Sequence, residues 1–197
     1  MTRQEKNQGI QINTTMSTQE VEKQDVGYET PPMCDLLTLL LKNRRPSGAC
    51  NEVWPNIFIS DAATAREKTL LQSLGISHII NAAHGPHHID TGADFYSNTN
   101  IQYYGVEASD NRHFDLTPFF YPTATFIHDA LNQQRVSRSA ALVLAYLMIH
   151  QRLTLSEAIN IVSARRNILP NAGFLQQLRQ LDSTLALQRN RQMETLL

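Results

Sequence analysis

The sequence predicts an α/β fold in which helices flank a central, mostly parallel sheet. Short apolar segments typical of strands alternate with helical segments along the chain, as in layered α/β proteins. Residues Ala140–Ile149 are apolar on every face, and such a helix must be buried. A chain of 197 residues with 42% hydrophobic content suits one domain with a substantial core.

Composition divides the chain into three regions. Residues 1–32 are rich in Gln, Glu, Lys, Thr and Asn, so they are predicted to form a disordered N-terminal tail. The domain is predicted over residues 33–188, opening with a Leu-rich helix at 34–41. Residues 189–197 are expected to be a frayed C-terminal tail.

The first half of the domain carries strand and helix signals in alternation. Pro55 suits an edge strand, since a proline cannot donate to a neighbouring strand. Asp61 is placed to cap an Ala-rich helix that Gly75 ends. We expect strands at residues 53–59, 78–81 and 101–106, and a helix from 61 to 74.

A polar loop, residues 107–115, directly follows the third of these strands. Loops that leave the carboxyl ends of strands hold the chemistry of α/β folds, which makes Asp110 a candidate. Acids in loops are also ordinary turn formers, and Asp115 is expected to cap the next helix. Helices are expected over residues 116–131, 155–165 after a Thr154–Glu157 capping box, and from 170 through 185.

The junction at residues 134–137 is the feature that does not fit the fold. One helix passes to the next through hardly any linker, so the central strand is expected to be deleted or disrupted. Ser137 and Ser139 are expected to open the apolar helix. Its free N–H groups and the Arg138 guanidinium could hold an oxyanion there, or the segment could be an ordinary capped core helix.

Composition excludes several classes of protein. With 17 basic and 18 acidic residues and a net charge of −1, nothing favours nucleic acid or an anionic membrane. No apolar run could span a bilayer, so a cytoplasmic and/or nuclear location is expected. Cys34 and Cys50 make no disulfide framework. The histidines at 84, 87 and 88 suggest a metal site, but the missing acid or thiol ligand favours a solvated loop. His128 falls in a helical pattern and is expected at the surface.

Several short motifs, taken together and in order, resemble those of one family. They are Glu52-Val-Trp-Pro55, Asn81-Ala-Ala83, the Asp110 loop, Ser137-Arg-Ser139 with its helix, and Asn171 to Leu175. This set is similar to that of the small atypical dual-specificity protein phosphatases, which belong to the protein tyrosine phosphatase superfamily.

The resemblance implies roles for particular residues. Asp110 matches the general acid, Arg138 with Ser137 the phosphate-binding loop, and Ser139 the hydroxyl that assists the leaving thiolate. In the family a strand runs into His-Cys-x-x-Gly-x-x-Arg, and the Cys attacks phosphorus. Here Gln134 and Arg135 stand instead, so about eight residues, a short strand plus the nucleophile turn, are missing. No metal or cofactor is implied.

Three hypotheses follow. The chain is a dual-specificity phosphatase that lacks an internal segment through splicing or a faulty gene model, or a pseudophosphatase that binds phosphoproteins without turnover. The third is an interaction module that uses its N-terminal helix. Phosphorylated proteins are the expected partners, with signalling kinases and a second copy in a homodimer as candidates. As written, the chain lacks the nucleophile and is predicted to be inactive or severely impaired.

Overall fold

Five strands form one sheet, with helices packed on it. The computed structural model describes residues 28–42, 47–85, 91–132, 135–138 (backbone only) and 140–195. The strands are β1 Cys50–Trp54, β2 Ile57–Ser60, β3 Ile76–Asn81, β4 Gln102–Gly105 and β5 Arg135–Arg138. The helices are α1 Met33–Lys42, α2 Ala62–Arg66, α3 Lys68–Ser73, α4 Thr117–Leu131, α5 Ala140–Ile149, α6 Leu155–Ser163 and α7 Ala172–Glu194.

The sheet has the strand order β1-β2-β5-β3-β4. Strands β2, β5, β3 and β4 are parallel, and only the edge strand β1 is antiparallel to its neighbour. This arrangement confirms the predicted α/β class and its mostly parallel sheet. None of the helices that the structure describes is long and apolar enough to cross a bilayer.

The central position of the sheet is filled by a short strand, so of the two expected alternatives, deletion or disruption, the structure has disruption. Strand β5 pairs Val136 with Ile57 on one side and with His78 on the other. The disruption that the sequence indicated remains as a short strand and a register shift against β3 between Ile76 and His78. Because β2 and β3 would otherwise leave backbone groups unpaired in the interior, tertiary pairing draws this segment into an extended conformation.

Two local predictions are also corrected. The expected strand at residues 53–59 is a hairpin, in which Asn56 turns the chain with φ of 64°, a conformation that asparagine tolerates. The helix after Asp61 is split at Glu67, whose ψ of 78° is not helical. Asp61 caps its first half as predicted, accepting a 2.8 Å hydrogen bond from Thr64 N, and Gly75 follows the second half with φ of 67°.

The apolar helix α5 is the centre of the core. Residues Ala141 to Met148 are all buried, as expected from the sequence, and α5 packs against α4, α6 and α7. Strand β2 divides its side chains between two clusters: Ile57 and Ile59 join the core around α5, whereas Phe58 joins a smaller cluster with Leu71 and Tyr96. The sheet is therefore covered on both faces, as a parallel sheet requires.

Both ends of the described chain make contacts with the rest of the domain. Tyr28 and Thr30, which we expected in a disordered tail, donate hydrogen bonds to Asp182 on α7. Helix α7 extends to Glu194, beyond the point where we expected it to fray. Arg189 in this extension donates to the carbonyl of Arg152 at 2.8 Å. Residues 1–27 of the predicted tail lie outside the described residues.

Candidate active site

A cleft of about 430 Å³ opens at the carboxyl edge of the parallel strands. Its walls come from the ends of β2 and β3, the first residues of α5, the Asp110 loop and the segment between α6 and α7. Carboxyl edges of parallel strands are where α/β folds bind ligands. The cleft is therefore the candidate active site.

Asp110 stands in this cleft, where the sequence analysis expected a functional acid. Its Oδ1 accepts a 2.7 Å hydrogen bond from the Asn171 amide. Asn171 in turn accepts a 2.9 Å hydrogen bond from Phe174 N with its own Oδ1, so it caps the start of α7. One amide thus fixes both the helix start and the direction of the Asp110 carboxylate.

The Asp110 loop lies directly on the start of α7 because Gly173 has no side chain. A Cβ at Gly173 would stand 1.9 Å from the carbonyl oxygen of Arg112. Asp115, at the end of the same loop, accepts a 3.0 Å hydrogen bond from Thr117 N at the start of α4. It was expected to cap this helix, but the N-cap position is Leu116, so Asp115 binds the first helical amide from one residue further out. Sequence reasoning did not identify the contacts of Asn171 and Gly173 with the loop, although both residues lie in a motif that it singled out.

The junction between β5 and α5 differs from the predicted arrangement. Ser137 was expected at the helix start, but it belongs to β5, where it pairs with Phe58 and Ile79. Arg138 is the last residue of the strand, and α5 begins at Ala140. The side chains of Ser137 and Arg138 and the whole of Ser139 lie outside the described residues, so their phosphate-binding and hydroxyl roles stay predictions.

The start of α5 nevertheless faces the cleft. Ala140 and Ala141 both line it. The first amides of a helix have no partner within the helix, and the macrodipole adds positive potential there. The helix start therefore offers hydrogen-bond donors to a negatively charged group in the cleft.

A guanidinium that sequence reasoning missed also lines the cleft. Arg166 donates from Nη1 to the carbonyl of Gly48 and to Oδ1 of Asn51, both at 2.8 Å. These bonds hold its side chain between the loop before β1 and the cleft wall. On the same wall, hydrogen bonds from Thr64 hold the pKa of Asp61 below its usual range, so that this capping carboxylate is charged at neutral pH.

Neither cysteine belongs to the cleft. Cys34 is exposed on α1, and Cys50 is half-buried at the start of β1. Neither is among the residues that line the described part of the cleft. Burial raises the pKa of the Cys50 thiol, and this effect outweighs the nearby charge of Arg166. A neutral thiol is a poor nucleophile, so Cys50 is not a candidate for nucleophilic chemistry.

The histidines form no metal centre in the part of the chain that the structure describes. His84 shares a 3.0 Å hydrogen bond with the Tyr103 hydroxyl, and His87 and His88 lie outside the described residues. His128 is exposed, as predicted, and its ring stacks on His150 with centroids 4.4 Å apart.

Comparison with known proteins defines the class. Residues 57–184 match the family model of the dual specificity phosphatase catalytic domain. The chain therefore belongs to the dual-specificity phosphatase family, whose ligands are phosphorylated proteins.

The relatives fit this assignment. The chain is 48% identical to mouse dual specificity protein phosphatase 13B over 169 residues, which cover 80% of this chain and 85% of that protein. Among solved structures, human tyrosine phosphatase-like serine/threonine/tyrosine-interacting protein is similar with a TM-score of 0.60 and 28% identity, over 68% of this chain and 96% of that one. Human DUSP28 shares the fold with a TM-score of 0.62 and 24% identity, over 71% of this chain and 97% of that one.

Proposed function

We propose that this chain is a noncatalytic member of the family, which binds phosphorylated side chains at the cleft without hydrolysing them. The observation that carries the proposal is the separation of the thiols from the cleft: Asp110 lines the cleft, whereas Cys34 and Cys50 do not. Family chemistry proceeds through a phosphocysteine, so a cleft without a thiolate has no route to turnover.

Phosphate binding requires no nucleophile, and the cleft has groups that suit an anion. The start of α5 offers backbone donors, and Arg166 contributes a positive charge. Arg138 at the end of β5 is the group that the family resemblance assigns to phosphate. The related human structure is named a tyrosine phosphatase-like interacting protein, and this name supports binding as a function on the same fold.

Substitution of Asp110 should have opposite effects in a phosphatase and in a protein that only binds phosphate. In a phosphatase its carboxyl group would protonate the leaving phenol or alcohol, so its loss would slow the reaction. In a protein that only binds, its negative charge opposes a phosphate dianion in the same cleft. Asp110→Asn keeps an oxygen that can accept from Asn171 and removes the charge, so it is expected to tighten binding.

The test combines a binding assay and a turnover assay on the full chain. A fluorescent phosphotyrosine peptide is titrated in parallel with its unphosphorylated form. Only the phosphorylated peptide is expected to bind, with loss of binding in Arg138→Ala and retention in Arg191→Ala, a matched arginine exposed on α7. Hydrolysis of an aryl phosphate is expected to be no faster than for Arg138→Ala, and vanadate-sensitive turnover would overturn the proposal.

Sequencing the messenger RNA distinguishes this proposal from the first hypothesis, a phosphatase shortened by splicing or by a faulty gene model. The informative codons are those from Gln134 to Ser137. A longer message encoding His-Cys-x-x-Gly would make this chain a shortened variant of an active cysteine phosphatase, in which Asp110→Ala should depress the rate. A message with only the short junction leaves phosphate binding as the function. A cytoplasmic or nuclear location is part of the same proposal.

A further inference from the structure

A buried carboxylate outside the cleft ties the N-terminal segment to the domain. Asp182 on α7 has no exposed surface. Its Oδ2 accepts hydrogen bonds from the Tyr28 hydroxyl at 2.5 Å and from the Thr30 hydroxyl at 3.0 Å. Its Oδ1 accepts from Leu155 N at 3.1 Å, at the start of α6. We call Tyr28, Thr30 and Asp182 the N-terminal latch.

The latch is held by polar bonds more than by apolar burial. Residues 28–32 have no regular secondary structure, and the Tyr28 side chain is 38% exposed. The other attachments are also hydrogen bonds: Arg179 Nε donates to the carbonyl of Pro31 at 2.8 Å, and Ser183 donates to Thr30 at 3.0 Å. A segment with few apolar contacts opens at low free-energy cost, so it can leave α7 while the domain stays folded.

Burial, and then the hydrogen bond to Asp182, raise the pKa of Tyr28, so the phenol stays protonated and serves as the donor. The latch therefore depends on a hydroxyl hydrogen that points at a carboxylate. A phosphoryl group on the same oxygen removes that hydrogen and brings about two negative charges to a site already occupied by Asp182.

Two arginines of α7, Arg179 and Arg189, lie near the latch. Arg189 Nη1 donates to the carbonyl of Arg152, whereas its buried Nη2 has no hydrogen-bond partner among the described residues and lies 3.9 Å from Asp182 Oδ1. Arg179 donates to Pro31 and to Gln176. A phosphate on Tyr28 would compete with the Asp182 carboxylate for this one Arg189 donor, whereas a segment that leaves α7 exposes the phosphate to water.

We propose that Tyr28 is a site of tyrosine phosphorylation and that its modification releases residues 28–32 from α7. The modifying enzyme is a protein tyrosine kinase with ATP as the co-substrate. The phenol oxygen bonds to the γ-phosphorus, the bond from that phosphorus to the bridging oxygen breaks, ADP leaves, and the phenolic proton passes to a base of the kinase. This inference concerns a face built by α6 and α7 and does not depend on the function proposed for the cleft.

The first experiment measures whether opening of the latch limits modification. The full chain is incubated with ATP and a purified tyrosine kinase catalytic domain, and the site is mapped by mass spectrometry. Labelling at residue 28 is expected, with an initial rate roughly tenfold higher in Asp182→Asn, because that change weakens a hydrogen bond to a charged group. Tyr28→Phe should remove this label.

Thr30→Val provides a milder opening if Asp182→Asn fails to fold. It removes one of the two donors to Asp182 Oδ2 and should also raise the rate, by less than Asp182→Asn. Thr184→Val is its matched control, since the Thr184 hydroxyl donates to Gln180 on the same helix and away from the latch. Equal rates in the wild-type, Thr30→Val and Thr184→Val chains, or labelling of the exposed Tyr121 without Tyr28, would overturn the assignment.

The second experiment measures whether phosphorylation of Tyr28 releases residues 28–32 from α7. Chain with phosphotyrosine incorporated at position 28 is compared with wild type by amide hydrogen exchange. Residues 28–36 and the start of α6 are expected to lose protection to the level of Tyr28→Ala, while α4 is unchanged. Unchanged or increased protection would mean that the phosphate is accommodated on α7, for instance by Arg189, and the release would be refuted.

Discussion

The contact between Gly173 and the Asp110 loop predicts that a Gly→Ala replacement, which usually stabilises a helix, destabilises this protein. In a helix, replacement of Gly by Ala ordinarily stabilises the protein by about 1 kcal/mol. Gly173 lies in the first turn of α7, so helix propensity alone predicts stabilisation by Gly173→Ala. The structure predicts destabilisation, because the added methyl group would meet the backbone of Arg112.

The magnitude follows from the distances. The new Cβ would stand 1.9 Å from the Arg112 carbonyl oxygen, and relief of the clash to 3.0 Å requires a backbone shift of about 1.1 Å. Overpacking of this kind costs about 1–3 kcal/mol. After the gain in helix propensity, we expect the free energy of unfolding to fall by about 1 kcal/mol. The same shift should disturb the 2.7 Å bond between Asn171 and Asp110.

Urea unfolding followed by circular dichroism measures this change, with the m-value checking that the two-state assumption holds. Gly92→Ala is the matched control: a Cβ there meets nothing within 4 Å, and its φ of −77° suits any residue. Amide exchange of residues 108–114 should rise in Gly173→Ala alone. If Gly173→Ala proves as stable as Gly92→Ala, the argument that Gly173 is required for close approach of the loop is refuted.

Three further predictions concern the core, a helix cap and pH. Leu144→Ala removes a fully buried side chain of α5 and should cost about 2–5 kcal/mol in urea unfolding, whereas Leu187→Ala, at a residue that is 60% exposed, should change stability by less than about 0.5 kcal/mol. Thr154→Ala breaks the capping box of α6 and should cost about 1 kcal/mol by the same measurement. Burial and then the charge of His128 lower the pKa of His150. The contribution of His150 to stability is therefore complete above its unfolded pKa of about 6.5 and is lost as pH falls through its folded pKa. In His150→Gln, the free energy of unfolding should consequently fall less steeply with decreasing pH than in wild type.

Each of these has an outcome that would contradict it. Equal losses in Leu144→Ala and Leu187→Ala would mean that α5 is not the packed centre of the core. An unchanged unfolding midpoint for Thr154→Ala would remove the capping box as a source of stability. If the pH profile of His150→Gln below about pH 6.5 matches that of wild type, the lowered pKa of His150 does not contribute to the acid decline in unfolding free energy.

The local signals in the sequence were sufficient for most elements. The uninterrupted apolar character of α5 predicted its burial, the Thr154–Glu157 spacing predicted the capping box, and Asp61 predicted a helix start. These predictions hold because each depends on residues within one or two turns of each other. The placement of Asp110 in a cleft followed equally from its position after a parallel strand.

Prediction failed where the conformation depends on distant partners. The segment 135–138 shows little strand propensity and is flanked closely by helices, yet β2 and β3 leave a gap that only an extended segment can fill. The Tyr28–Asp182 bond joins residues 154 positions apart, and nothing local to Tyr28 indicates it. Arg166 is held at the cleft by acceptors more than 100 positions away in the sequence, Gly48 in the loop before β1 and Asn51 in β1 itself.

The sequence by itself therefore determined the fold class and the family, because both follow from residue identity and short-range order. Only the tertiary structure decided that Arg135–Arg138 form the central strand and that both cysteines lie outside the described part of the cleft. It also decided that Tyr28 donates a hydrogen bond to the buried Asp182 carboxylate. The physical reason is that backbone pairing and burial are satisfied across the whole molecule, and they override weak local preferences wherever an unpaired strand edge or a buried charge would otherwise remain.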